Sequence, residues 1–336
     1  MLQRIAPADR FRLGATFALL SALCFGVSGS FARSLLDAGW SPSAAVAARL
    51  AGGAVALTVV CAFVNRGWLR EVGKHAGTVL TYGLIPIAGA QLCYYNAVQH
   101  LSVAVALLLE YTSPVLVTAW LWLSTRRRPS NRTLAGVGMA VAGIVVVLDV
   151  AHGARINGVG IAWGLAAAVC AACYFMMGDI SETTADDGTP LRPLTLATGG
   201  LWVGAAAVLA LGGSGLMPLR FTGDDVVLAG ATMSPLVSVL ALALVACAAA
   251  YSLGIIGIAL LKPGFASLLG LTEVLFAVAW AWLLVGETIS RVQGIGGLVV
   301  LAGLALARSG DPEPRVLLVD HHGKLQLDRL TSEGAR

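Results

Sequence analysis

Charge is what this sequence has least of. Only 12% of its 336 residues are Asp, Glu, Lys or Arg, 57% are apolar, and the mean hydropathy is +0.82. A water-soluble domain clothes itself with roughly 25% charged residues. A chain this poor in charge cannot cover itself for water, so lipid must solvate most of its outside. Enzyme motifs are also absent: there is no G-x-S-x-G, no Walker loop and no H-E-x-x-H, which argues against an enzyme and against nucleotide-driven pumping by this chain alone. No basic stripe with interleaved aromatics suggests nucleic acid. The six cysteines (Cys24, Cys61, Cys93, Cys170, Cys173 and Cys247) all fall inside apolar runs. Cys170 and Cys173 form a C-x-x-C without a second pair or a nearby His, so they read as small buried apolar residues. No metal or cofactor is expected.

What is present is a series of long apolar runs. They lie at 13–32, 43–64, 77–98, 101–124, 133–149, 158–178, 193–212, 233–257, 264–285 and 292–308. A span needs roughly 20 apolar residues for a hydrocarbon core of about 30 Å. Such spans must be helical, because a lipid-exposed strand edge leaves backbone groups unpaired, and a closed barrel would need period-two alternation. The expected fold is therefore all-α and membrane-embedded, with ten transmembrane helices. Arg4, Arg10 and Arg12 flank the first run as in a signal peptide, but no clear cleavage site follows, so a retained first helix is expected.

Lys and Arg set the orientation. With the N-terminus in the cytoplasm, seventeen basic residues fall on that side, including Arg66, Arg70, Lys74, Arg126, Arg127, Arg128 and Arg132. Four fall on the other: Arg33, Arg155, Arg220 and Arg291. The expectation is a multi-pass protein of the cell membrane with both termini cytoplasmic. Residues 1–12 form a cytoplasmic lead-in. The polar stretch 309–336, with His321 and His322, forms a flexible cytoplasmic tail.

The sequence repeats itself. Ala119-Trp120-Leu121-Trp122-Leu123 matches Ala279-Trp280-Ala281-Trp282-Leu283 at a shift of 160. The same shift sets Ala142-Gly143 on Ala302-Gly303, Gly136 on Gly296, and Leu108-Leu109 on Leu268-Leu269. Near the starts of the halves the shift is 146, with Gly14 on Gly160 and Cys24 on Cys170. Two five-helix units follow, 13–149 and 158–308. An odd number of spans per unit inverts the second relative to the first, the arrangement that lets two conformations exchange around a midplane site. The Trp-x-Trp residues are expected near an interface, facing lipid or neighbouring helices.

Charges deep in a span cost roughly 2.5–3.5 kcal/mol on insertion scales. Three stand out: Arg49, Glu110 and Glu273. Glu110 aligns with Gly270 and Glu273 with Ser113, so the carboxylates are offset by about one turn within equivalent helices. Either Glu could exchange a proton or bind a substrate ammonium, or one could simply pair with Arg49 and lock two helices. Arg49 itself could neutralise a Glu, bind a carboxylate or snorkel. Gln91, Tyr94, Tyr95, Asn96, Tyr111, Tyr174 and Tyr251 are candidates to line the same cavity, and each could equally cap a helix contact. Thr112 and Thr272 occupy equivalent positions beside the acidic residues. Pro86, Pro114 and Pro263 are candidate helix bends.

The pattern resembles the EamA-type branch of the drug/metabolite transporter superfamily over about 12–308. Ala259, Pro263 to Leu269, Glu273 and Gly286-Glu287 are similar to that family's second-half pattern. Ala97, Ser102 to Leu109 and Pro114 are similar to its first-half pattern. Each half keeps one member of the family's Glu-Pro pair: Ser113-Pro114 in the first, Glu273-Val274 in the second. Thr125-Arg126 stands where the first Gly-Glu would fall. The stretch from Val105 to Pro114 resembles a helix of threonine/homoserine exporters. The resemblance implies a secondary transporter of a small polar metabolite, such as an amino acid, exported against protons through the bilayer. A homodimer is compatible with it. Drug or nucleobase export, or metabolite uptake, stays open. The rival class is a non-transporting assembly subunit or lipid-modifying enzyme.

Overall fold

A computed structural model describes residues 7–126, 128–147, 157–176, 190–261 and 269–310, with two short pairs at 318–319 and 325–326. Most of the 309–336 tail, with His321 and His322, lies outside these residues, as does Pro263. The described chain is almost wholly helical. We number the helices α1 (Pro7–Asp37), α2 (Pro42–Val64), α3 (Trp68–Lys74), α4 (Ala76–His100), α5 (Val103–Glu110), α6 (Ser113–Thr125), α7 (Asn131–Val147), α8 (Gly158–Met176), α9 (Pro193–Gly213), α10 (235–260), α11 (Thr272–Val285) and α12 (Arg291–Gly310). Among the described residues, six stretches are long and apolar enough to cross a membrane: Phe11–Asp37, Pro42–Val64, Ala76–His100, Val103–Ser124, Pro193–Gly213 and Pro235–Gly257. The described residues also include four shorter apolar helices, Asn131–Val146, Gly158–Cys173, Thr272–Val285 and Arg291–Ala307.

Two elements have no forerunner in the apolar pattern. The seven-residue α3 sits in the connection after α2. The strands β1 (Val226–Leu228) and β2 (Ala231–Met233) form a hairpin before α10. Its two-residue turn, Ala229-Gly230, has φ of 51° and 77°, the both-positive pattern that matches strand twist. These elements mark the two ends of the bundle, the α3 end and the hairpin end.

Several helices are less regular than their apolar runs predict. The run 101–124 is cut between α5 and α6. Pro114 lacks the amide that would bond Glu110 O, and α5 stops at Glu110. α4 carries a π-helical stretch, Gly83–Gly89, around Pro86. α10 carries another, Ala241–Ala249, without a proline. Regular α-helix resumes at Ala90 and at Ala250, positions 160 apart.

Small residues set the closest approaches. α7 and α12 cross antiparallel, and a Cβ at Gly143 would stand 2.7 Å from Val300 N, one at Gly303 2.5 Å from Ala140 N. Gly136 faces Gly303 and Gly143 faces Gly296, so each glycine meets the partner that its own repeat equivalent leaves free. A second reciprocal pair joins other helices. Gly14 of α1 packs on Leu260 and Leu261, and Gly160 of α8 packs on His100 and Leu101. Reciprocity of this kind is what a two-fold relation produces. The Trp-x-Trp pairs behave unequally: Trp120, Trp122 and Trp282 are exposed on the bundle's outside, whereas Trp280 turns inward and donates to Leu23 O at 3.2 Å.

Candidate functional site

A cavity of about 290 Å³ lies partway along the helices, where α1, α2, α4, α5, α8, α10 and α11 converge. Arg49, Glu110 and Glu273 all line it, although they are far apart in sequence. Its remaining wall is largely aromatic and aliphatic, with Phe25 and Tyr251 meeting edge to face at 5.1 Å. An apolar wall with a few convergent polar groups is the usual make-up of a small-molecule site.

Arg49 is 2% exposed and bound on nearly every side. Its Nη1 donates to Ser28 Oγ, to Gln91 Oε1 at 2.9 Å and to Tyr95 OH at 3.1 Å. Its Nη2 donates to Ala246 O at 3.1 Å, within the π-helical stretch of α10. A side chain that takes a carbonyl from a helix ladder is a recognised cause of such irregularity. Only Nε lacks a partner. No ion pair joins Arg49 to Glu110 or Glu273. The guanidinium is a fixed positive charge facing two carboxylates it does not touch.

The two carboxylates differ in their surroundings. Tyr111 reaches from the α5–α6 break and donates to Glu273 Oε2 at 2.8 Å and to Gly270 O at 3.1 Å. Glu110 has no hydrogen-bond partner among the described residues. The breaks that present them are built alike. Thr112 donates to Leu109 O at 2.7 Å, and Thr272, 160 residues on, donates to Leu269 O at 2.6 Å. Each hydroxyl bonds back to the carbonyl three residues earlier, at the interruption.

The other candidates divide plainly. Gln91, Tyr94, Tyr111, Tyr251 and Pro86 line the cavity. Tyr95, fully buried, lies behind it on Arg49. Thr112 and Thr272 serve the helix breaks and lie off the wall. Asn96 turns back to its own helix, donating to Leu92 O at 2.7 Å. Pro114 begins α6 instead of bending a continuous helix. The side chain of Tyr174 lies outside the described residues. Sequence reasoning missed Phe25, Ser28 and Tyr82 as wall residues. Nothing marks one Ser or Phe in an unbroken apolar helix above its neighbours.

Comparison with known proteins adds the family. The EamA-like transporter family matches residues 12–149 and 158–309. The threonine/homoserine exporter RhtA of Salmonella typhimurium is 28% identical over 313 residues, covering 90% of this chain and 94% of that protein. The same exporter from Escherichia coli K12 is 27% identical, covering 87% and 90%. The uncharacterised inner membrane transporter YicL of Salmonella typhimurium is 23% identical, covering 88% and 95%. A solved crystal structure superposes with a TM-score of 0.56 at 20% identity, covering 90% of this chain and 98% of its own, and so shares the fold.

Proposed function

The chain belongs to the EamA-like transporter family, and from that premise we propose that it exports a small polar metabolite bearing an ammonium group, an amino acid above all, in exchange for protons. It is a multi-pass membrane transporter with a small-molecule substrate. The finer reading rests on one observation: three ionisable side chains from three distant helices meet in a single cavity within the bundle. Intramembrane ionisable groups are costly to keep and commonly mark substrate or proton pathways. Arg49 is already held by four protein acceptors, so it acts as a counter-charge that shapes the site. Glu110 and Glu273 are the groups available to a substrate ammonium or a proton. The threonine/homoserine exporter relatives favour an amino acid as cargo.

In this reading residues 13–149 and 158–308 form two inverted five-helix units that alternate the cavity between the two faces of the membrane. The reciprocal glycine contacts, the paired π-helical stretches and the matched threonines support it. The distribution of Lys and Arg supports cytoplasmic ends for both units. An untargeted comparison of extracellular metabolites from cells with and without this protein tests the cargo: an amino acid should accumulate outside producing cells. Depletion of such a compound from the medium would point to uptake instead.

A further inference from the structure

The end of α11 and the start of α5 meet at the hairpin end of the bundle. Gly286 adopts left-handed backbone (φ 72°), and Glu287 N donates back to Ala281 O at 3.1 Å. The turn aims the Glu287 carboxylate at the first amide of α5. Val103 N lies 3.0 Å from Oε2 and 3.4 Å from Oε1. A first-turn amide has no partner within its own helix, and a carboxylate there also gains from the helix dipole. Ser102 does not compete, because its hydroxyl takes Val105 N. Neighbouring bonds close the same end: Arg33 donates to Val98 O at 3.0 Å, and Ala229 N donates to Leu284 O at 2.8 Å.

The repeat makes this contact informative. Moved by 160 residues, Val103 becomes Pro263, Gly286 becomes Arg126, which shares its left-handed backbone (φ 55°), and Glu287 becomes Arg127, one residue beyond the Thr125-Arg126 register of the sequence pattern. Proline has no amide hydrogen and arginine has no acceptor. The same bond cannot be made between those two positions in any conformation.

We propose that Glu287 and the Val103 amide form a one-sided latch between the two halves, which holds the hairpin end shut and makes that closed state the resting state of the transporter. This rests on the alternating-access reading above. Inverted halves by themselves give two conformations of similar energy. A bond available to only one of them breaks the tie.

The test reads distance, so it stands apart from transport. Spin labels carried by noncanonical amino acids are placed at the exposed Gln99 and Thr288, in the otherwise complete protein reconstituted in nanodiscs. Val103→Pro deletes the donor alone. Proline suits the first position of a helix, and Ser102 already has the extended backbone (φ −65°, ψ 152°) that must precede it. Glu287→Ala deletes the acceptor, and Glu287→Gln keeps a neutral one. Hydrogen bonds to charged groups predict a rise of roughly tenfold or more in the long-distance population for Val103→Pro and Glu287→Ala. Glu287→Gln, which keeps a neutral acceptor, should not raise the long-distance population, and the double variant should open no further than either single one. If wild type samples two distances and neither single variant shifts them, the latch is overturned while alternation stands. If every protein shows one fixed distance, latch and alternation both fall.

Discussion

The two halves of this chain share a frame and differ in their chemistry. Each has a π-helical stretch that ends 160 residues from its twin, a threonine that caps a helix break, and glycines that meet reciprocal partners. At the break itself they part. The first half presents Glu110-Tyr111-Thr112-Ser113, and the second presents Gly270-Leu271-Thr272-Glu273. The buried Arg49 of α2 has no counterpart in α9, the helix at the matching place in the second half, which holds no charged residue. On the alternating-access reading the common frame would serve two related conformations, while the divergent residues make one cavity with unlike walls. Duplicated geometry therefore coexists with a single, asymmetric site.

The largest effect is expected at that asymmetry. Arg49→Met strips a donor from Ser28, Gln91, Tyr95 and Ala246, at about 1 kcal/mol or more each. A stability loss of about 4 kcal/mol, read as a clear fall in thermal midpoint in detergent, is the expected outcome. The frame should fail symmetrically. Gly143→Leu and Gly303→Leu each force a side chain against opposing backbone, at about 3 kcal/mol. The two should lower the midpoint alike, and a large inequality between them would break the repeat equivalence.

Smaller effects sharpen the difference between the carboxylates. Tyr111→Phe removes the bond to Glu273 and leaves Glu110 as it was, so it should lower transport several-fold, with a shift in its pH profile. The same change measured in a Glu273→Gln background should have much less effect. The smallest effect concerns pH at the hairpin end. Burial raises the pKa of Glu287 above the usual carboxylate range, Asp37 adds to the rise, and the Val103 amide and Arg33 oppose it. Once that end opens to water the pKa returns toward its ordinary value. The closed state thus binds protons more readily, and acidification through this window should enlarge the short-distance population. Glu287→Gln should abolish the dependence.

Much of the bundle was legible because lipid imposes a simple demand: a run of apolar residues long enough to cross. That demand says nothing about where a helix breaks. The run 101–124 carries no charge except Glu110 and its few Ser and Thr residues do not by themselves end a helix, so the interruption at Tyr111-Thr112 is signalled chiefly by the missing amide of Pro114. The second-half break has Val274 in that place and no such sign. Arg49, Glu110 and Glu273 were legible because charge in a span is costly. Their separation was not, since whether Arg49 pairs with a glutamate depends on Ser28, Gln91, Tyr95 and Ala246 O outcompeting it. Ser28 and Phe25 sit on a helix with little amphipathic pattern, and the bundle alone decides which of its faces meets the cavity. The Trp-x-Trp motif located the repeat, yet Trp280 turns to Leu23 O while Trp120 stays outside. A matched sequence does not guarantee a matched environment.

The measurement that tests the central claim most directly is amino-acid efflux from proteoliposomes under an imposed pH gradient, with wild type, Glu110→Gln and Glu273→Gln side by side. Wild-type efflux should accelerate with the gradient, and both variants, folded and correctly inserted, should ignore it. Gradient-driven flux that survives unchanged in both variants would contradict the account.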